Sequence, residues 1–173
     1  MRTQEIKVYK FDELNEKARD RAKQWYAEGC GYVGADDALE SIKALAAHFD
    51  GEMKDWSIDY FNSSYSSASF EMPEMSEKEI RSRLKELGSY NRKTGRGNGD
   101  CKLTGYTADE DAIDGFRAAF RAGERDLTQL MDAAFDSWLK AAQADCEWQY
   151  EDEQFSENCE ANGYEFYEDG SRA

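Results

Sequence analysis

The chain has 173 residues, 40% of them hydrophobic and 13% aromatic, which is enough to build a core and excludes a disordered chain. Its 37 acidic residues against 22 basic ones give a net charge of −15, a field that repels nucleic acids and anionic membranes and attracts basic proteins. The sequence shows no export signal and no run of membrane-spanning length, so we expect a cytoplasmic protein with reduced cysteines.

The first part of the chain has one strand pattern followed by two helix patterns. Residues 5–11 alternate between apolar and polar side chains, which predicts an edge strand. Asn15 is placed to cap a helix over residues 16–28. After a glycine-rich link, Asp36 or Asp37 is expected to cap a second amphipathic helix.

The middle of the chain predicts a hairpin and a third helix. Residues 56–61 and 66–72 alternate as strands, joined by serine and asparagine residues that suit a hairpin connection. Pro73 ends the second strand. Ser76, three residues before a glutamate, predicts a capping box at the start of a helix that reaches Leu87.

Residues 88–104 form a glycine-rich segment that favours a loop, and they are followed by further helices. Thr107, three residues before a glutamate, predicts a second capping box. Near the C-terminus, residues 164–167 are compatible with a short strand.

The longest pattern covers residues 126–162, which contain no proline and no glycine. Apolar residues recur every three or four positions there, as in an amphipathic helix. A straight helix of this length would measure about 55 Å, more than a domain of this size needs, so we allow for a break near residues 144–149, where Asp145 interrupts the stripe. Asn162 and Gly163 predict a left-handed C-terminal cap.

These elements predict an α+β fold, with a small antiparallel sheet packed with about five helices, including the long C-terminal amphipathic helix. We expect a single domain over residues 1–173 with an acidic C-terminal helical arm at about 145–173. The large side chains expected to be buried in one core are Trp25, Trp56, Phe120 and Trp138.

The C-terminal arm has an unusual charge. Residues 145–173 contain ten acids and one base, Arg172, with aromatic residues among the acids. This composition indicates either a solvated helix face that covers a few apolar residues or a surface for a basic partner. The candidate partner-binding residues are Glu147, Trp148, Tyr150, Glu151, Asp152, Glu153, Glu157 and Glu160. On a continuous helix, Glu147, Glu151 and Glu157 would lie close to one stripe.

The segment 88–104 reverses the sign of the charge and is a secondary candidate site. Its basic glycine-rich sequence lacks the G-K-[ST] end of a phosphate-binding loop, and no helix begins directly after it. A mobile surface loop is therefore the main interpretation, with a nucleotide or RNA contact as the alternative. The candidate residues of this loop are Arg92, Lys93, Arg96, Asp100, Cys101, Thr104 and Tyr106.

No pattern predicts a catalytic centre, a metal site or a cofactor. His48 is the single histidine, and a catalytic triad or a histidine-based zinc site needs more than this. The acids at 109–111 lack the ligand spacing of an EF-hand and instead fit the start of a helix. Cys146 and Cys159 are too far apart around one straight helix to bind the same metal.

Three segments carry a resemblance to a known group of proteins. They are VYKFDELNEKA at residues 8–18, GDCKLTGY at 99–106 followed by the acids at 109–111, and NGYEFYEDG at 162–170. In this order they resemble a largely uncharacterised family of small acidic proteins encoded by phages and prophages, some of them loosely labelled antitoxins. The resemblance implies a phage origin and brings no established active site.

Three functions are compatible with the charge and with this resemblance. The first is a phage-encoded inhibitor of a host antiviral defence system, of the CRISPR–Cas or restriction type, acting in the bacterial cytoplasm. Its acidic surface would mimic nucleic acid and bind a basic, nucleic-acid-binding host protein, without contacting nucleic acid itself. The second is an antitoxin-like or host-regulatory protein that neutralises a basic partner. The third is a small enzyme that acts on a nucleotide.

Overall fold

The computed structural model describes residues 6–88, 90–91, 96–97 and 103–173. This part is α+β, rich in helix with a small antiparallel sheet, which confirms the predicted fold class. The helices are α1 (Glu16–Gly29), α2 (Ala35–His48), α3 (Glu77–Glu86), α4 (Ala108–Ala122), α5 (Leu127–Gln149) and α6 (Asp152–Ala161), and the strands are β1 (Glu52–Ser57), β2 (Ser67–Glu71), β3 (Tyr90–Asn91) and β4 (Arg96–Gly97).

The contacts within the chain divide it into two compact units. The terminal unit combines residues 6–33 with Asp145–Ala173, and the central unit is Gly34–Ala144. One boundary between them falls inside α5. In the terminal unit, residues 145–173 share a core with residues 6–33. The single domain with a C-terminal arm stays a prediction.

The core of the central unit is built from α2, α4 and α5. The rings of Phe49 and Phe116 stack with their centroids 4.6 Å apart, as the apolar faces of α2 and α4 predict. Trp138 in α5 is fully buried, and its indole N–H donates a hydrogen bond of 2.8 Å to the carbonyl of Ala38. This bond satisfies the polar group of the largest side chain in the core, as burial of a tryptophan requires.

The β1–β2 hairpin of the central unit differs from the prediction. β1 pairs with β2 antiparallel, with Met53 opposite Phe70 and an irregularity before Trp56. The second predicted strand is confirmed, whereas the first begins four residues earlier than expected. Trp56 is 46% exposed, so its predicted burial is wrong. A two-stranded sheet buries little of its surface, and the ring of Trp56 is instead covered by the Lys43 ammonium, 4.8 Å from its centroid.

Two helix starts match their sequence signals. The side chain of Asn15 accepts a hydrogen bond of 3.1 Å from the N–H of Ala18, which caps α1. Ser76 and Glu79 exchange the reciprocal bonds of a capping box at the start of α3. Both motifs lie within four consecutive residues, so local chemistry decides them.

The predicted cap of α2 is wrong. The helix begins at Ala35, and its N-cap is Gly34, whose φ of 98° is in the left-handed region. Asp36 and Asp37 lie in the first turn of the helix, where their charges favour the positive end of the helix dipole. A glycine cap leaves no side-chain pattern in the sequence.

The terminal unit is held by an aromatic core between the two parts of the chain that form it. Its buried cluster is Phe11, Leu14, Ala18, Ala22, Tyr26, Phe155, Cys159 and Phe166. The Phe11 and Phe155 rings meet edge to face at 4.9 Å, an arrangement that aromatic quadrupoles favour. Trp25 is only half-buried and packs against this cluster, whereas Phe120 is buried in the central unit. The single predicted core therefore does not contain all four of its expected members.

The two strands predicted near the ends of the chain are reduced to isolated bridges. Tyr9 pairs with Phe166, and Phe166 pairs with Arg172, so the predicted strands over residues 5–11 and 164–167 are wrong as regular strands. Gly170 has a φ of 83° and lies against the backbone of α1, where an added Cβ would approach the Ala18 carbonyl oxygen to 2.0 Å. Only glycine permits this close approach.

Candidate functional site

The acidic C-terminal segment contains a break at the end of α5. The N–H groups of Tyr150 and Glu151 bond to the carbonyls three residues earlier, and Glu151 adopts an extended conformation with ψ of 145°. The hydroxyl of Tyr150 donates a hydrogen bond of 2.7 Å to the carbonyl of Gly31. The break lies just after the predicted range of 144–149. Glu147 is therefore in α5 and Glu157 in α6, so their predicted position on one continuous helical stripe is wrong.

The segment 31–33 is held against this break by side chains of α5. The carboxamide of Gln149 accepts a hydrogen bond of 3.2 Å from the N–H of Val33 and donates one of 3.0 Å to its carbonyl. Asp145 accepts bonds from Gln149 at 3.0 Å and from the hydroxyl of Tyr32 at 2.8 Å. These four bonds fix Val33 at the surface, where 56% of the residue is exposed.

A groove of about 380 Å³ opens where α5, α6 and this segment meet within the terminal unit. Its apolar part is made by Val33 and Trp148, with Tyr26 and Ala161. Trp148 is 49% exposed, which is unusual for so large an apolar ring.

The polar part of the groove comes from α6 and the end of α5. Glu157, Gln154, Asn158 and Gln149 line it. Burial raises the pKa of Tyr26, whose hydroxyl hydrogen bonds to Asn158. The groove thus combines an exposed indole with one carboxylate and three carboxamide groups, which offer several hydrogen-bond acceptors to a ligand.

The candidate acidic residues divide into two groups. Asp152 is paired with Arg19 at 3.0 Å and Lys23 at 2.5 Å, and hydrogen bonding to Lys23 and Arg19 lowers the pKa of Asp152. Glu160 is paired with Lys10 at 3.0 Å. These two carboxylates hold α6 to the N-terminal part of the terminal unit. Their ion pairs reduce the negative charge that the segment presents to solvent.

The other four candidate acids face solvent. They are Glu147, Glu151, Glu153 and Glu157, which are exposed and make no ion pair among the described residues. Trp148 lies next to the first of them, and Tyr150 is half-buried in the aromatic packing of the unit. Burial raises the pKa of Tyr150, which fits a packing role with one hydroxyl bond to the backbone.

The secondary loop candidate falls mostly outside the described residues. Arg92, Lys93, Asp100 and Cys101 lie there, and only the backbone of Arg96, in β4, is described. Thr104 and Tyr106 are described, and the structure brings them to Asp109 at the start of α4. Tyr106 is about half exposed, and the hydroxyl of Thr104 donates a 2.7 Å hydrogen bond to Asp109.

Asp109 is fully buried in the central unit and organises the turn before α4. Its carboxylate also accepts hydrogen bonds from the N–H groups of Thr104 at 3.0 Å and Gly105 at 2.8 Å. The predicted cap by Thr107 is wrong, because Thr107 makes no side-chain cap bond. The signal in the sequence is Asp109, four residues after the Thr104–Gly105 pair, because an aspartate side chain can accept hydrogen bonds from backbone N–H groups of a preceding turn. This network is structural, as the interpretation of residues 109–111 as helix-start acids predicts.

The described cysteines differ in exposure. Cys30 is exposed, whereas Cys146 and Cys159 are buried. Burial raises the pKa of the Cys159 thiol to about 11, which keeps it protonated and unreactive at neutral pH. Among the described residues, no group of three or more histidine, cysteine or acidic side chains could hold a metal ion.

Comparison with known proteins adds no relative: no family model, no curated protein and no solved structure matches the chain. Within the ranges described above, no helix is long and apolar enough to cross a membrane.

Proposed function

We propose that this protein is an inhibitor that binds a basic, nucleic-acid-binding host protein through the acidic surface of residues 147–157. One observation carries the proposal: four solvent-facing carboxylates and a half-exposed tryptophan occur within eleven consecutive residues. Carboxylates held at such a surface present negative charge as phosphates do, and tryptophan is the residue type most often found at the energetic centre of interfaces.

The charge of the whole chain supports the same class of partner. A net charge of −15 attracts a basic protein over distances beyond contact and speeds association at low salt. It opposes binding to nucleic acid itself. The resemblance of residues 8–18, 99–106 and 162–170 to phage-encoded proteins is the reason for proposing a partner from a host antiviral defence system, of the CRISPR–Cas or restriction type.

The test is capture of proteins from a bacterial lysate by the tagged protein at low and moderate salt, with mass spectrometry of the retained proteins. The surface variant carries Glu147→Lys, Glu151→Lys and Glu157→Lys. The matched control carries Asp55→Lys, Glu74→Lys and Glu86→Lys, three exposed acids of the central unit that make no ion pair among the described residues. Both variants change the net charge equally.

We expect the parent and the control to retain a nucleic-acid-binding protein and the surface variant to lose at least ten-fold in its capture. The parent should also displace duplex DNA or RNA from the purified partner. An equal loss of partner capture in both variants would mean that the partner responds to the overall charge of the protein, and it would contradict a binding surface at residues 147–157. Retention of a partner that binds no nucleic acid would contradict the proposed inhibitor and favour neutralisation of another basic protein.

A further inference from the structure

The groove of the terminal unit exposes apolar surface that the fold holds in place. Val33 and Trp148 line it and are both about half exposed. The bonds from Gln149 to the N–H and carbonyl of Val33 prevent this residue from turning away. A pre-formed apolar wall loses little conformational freedom when it binds a ligand.

The polar residues that line the groove determine which ligand it suits. Glu157 contributes a full negative charge, and Gln154 and Asn158 contribute carboxamide oxygens. A guanidinium group is planar and carries five N–H donors, so it can stack on an indole while it bonds to a carboxylate. The ammonium of a lysine is a compact, strongly hydrated charge, so it interacts less well with the indole and cannot form a planar pair of hydrogen bonds with the carboxylate.

The same unit contains another arginine side chain placed against aromatic rings. The guanidinium of Arg172 lies 5.9 Å from the ring centroid of Trp25 and 5.0 Å from that of Tyr164. Among the described residues, no cation of the chain lies over the ring of Trp148. The groove volume of about 380 Å³ is at the small end for ligand sites, as expected for one side chain with part of its backbone.

We propose that this groove is a receptor for a single arginine side chain of the partner, with the guanidinium stacked on Trp148 and bonded to Glu157. The inference rests on the proposed function, because a basic partner supplies the arginine. Such a groove would select arginine over lysine at one position of the partner, a preference that general attraction between opposite charges does not provide.

The test uses short peptides and NMR of the full chain. The probe is the capped tripeptide Gly-Arg-Gly, compared with the same peptide carrying lysine or the uncharged isostere citrulline. At 150 mM salt, we expect the arginine peptide to shift the indole N–H signal of Trp148 and the amide signals around Glu157. The lysine and citrulline peptides should bind at least five-fold more weakly.

Two pairs of variants separate the groove from the general field. Glu157→Gln should weaken the arginine peptide at least five-fold, whereas Glu153→Gln, which removes an equal charge outside the groove, should change binding less than two-fold. Trp148→Ala should abolish the shifts of the amide signals around Glu157, whereas Trp56→Ala, at an exposed tryptophan of the central unit, should leave them unchanged. Equal effects of the two glutamate variants, or equal binding of citrulline, would overturn the proposal.

The same variants distinguish this proposal from the proposed function. If capture of the partner is lost in the triple lysine variant but is equally sensitive to Glu153→Gln and Glu157→Gln, the arginine receptor fails and the acidic inhibitor stands. If the arginine peptide binds as expected while the triple lysine variant keeps its partner, the inhibitor fails and the groove remains an arginine site.

Discussion

The central and terminal units bury their large aromatic residues in different ways. The central unit encloses Trp138 completely and bonds its indole N–H to a carbonyl. In the terminal unit, aromatic rings pack edge to face, and Gly170 lies against the backbone of α1. We expect the stability of the central unit to depend strongly on the side-chain volume of Trp138, and that of the terminal unit to depend on the close approach of Gly170 to the backbone of α1.

The largest expected effect tests the central unit. Trp138→Ala should lower the free energy of unfolding by about 3–5 kcal/mol, because it leaves a cavity and removes the indole hydrogen bond to the Ala38 carbonyl. Trp148→Ala, at a half-exposed tryptophan of the terminal unit, should cost less than about 1 kcal/mol. Denaturant melts give both values. A loss below about 1 kcal/mol for Trp138→Ala would show that the core is assigned wrongly.

The next effect tests the backbone fit of the terminal unit. Gly170→Ala places a Cβ against the carbonyl of Ala18 at a positive φ, so we expect a loss of about 2–4 kcal/mol. Gly163→Ala has a positive φ but no neighbour within 4 Å of the added Cβ, and should cost only about 1–2 kcal/mol. Hydrogen exchange should show the larger opening in residues 6–33 and 145–173. Equal losses of stability in the two variants would mean that the positive φ, and not the contact with Ala18, determines the cost.

A smaller effect is expected from the hydrogen bonds that hold Val33 in the groove. Gln149→Ala removes the two bonds to Val33, and we expect a cost of about 1–2 kcal/mol with faster exchange of the Val33 amide. Gln154→Ala serves as the control, since this glutamine lines the same groove and makes no side-chain bond among the described residues. Unchanged exchange at Val33 would show that other contacts hold the segment.

The smallest effect concerns the ion pairs of α6. The bonds from Lys23 and Arg19 lower the pKa of Asp152, so its contribution is present above the unfolded pKa of about 3.9 and is lost as the pH falls through the folded value. Because the side chain is 55% exposed, Asp152→Asn should cost under about 1 kcal/mol at pH 7.

The pH dependence provides the check. The difference in unfolding free energy between the parent and Asp152→Asn should shrink between pH 7 and pH 3, as the pH falls towards the lowered folded pKa of Asp152, whereas Glu153→Gln should show no comparable change. Melts of the three proteins at pH 7 and pH 3 measure this. A cost of Asp152→Asn that persists at low pH would point to packing rather than charge.

The features predicted correctly from the sequence are those decided by neighbouring residues. Asn15 caps α1 and Ser76 opens α3. At the end of α6, the N–H of Tyr164 bonds to the carbonyl of Cys159 at 2.8 Å, with Gly163 left-handed, as the Asn-Gly pair predicts. Each of these motifs is complete within about six residues, so its chemistry can be read locally.

Two of the errors come from interactions between distant parts of the chain. The strand at residues 5–11 fails because, among the described residues, Tyr9 bridges Phe166 alone, which gives one bridge rather than a ladder. The break after α5 depends on the bond from Tyr150 to Gly31, and no periodicity in residues 126–162 can show that partner.

The candidate site was predicted in part. The exposed glutamates follow from composition alone, but the pairing of Asp152 and Glu160 with cations of residues 6–33 does not. Val33 was not predicted as a site residue, since an exposed valine before a glycine carries no signal until its bonds to Gln149 are known. The groove is therefore a product of tertiary structure.

The discontinuity of the terminal unit has a consequence for biosynthesis. The central unit is one unbroken stretch, Gly34–Ala144, and can begin to pack as it leaves the ribosome. Residues 6–33 must wait for Asp145–Ala173, a delay of roughly ten seconds at ordinary elongation rates. During that interval, Phe11, Leu14 and Tyr26 lack their later partners. The bridge between Tyr9 and Phe166 can close only after residue 166 has been synthesised, so the groove and α6 form after the central unit has left the ribosome.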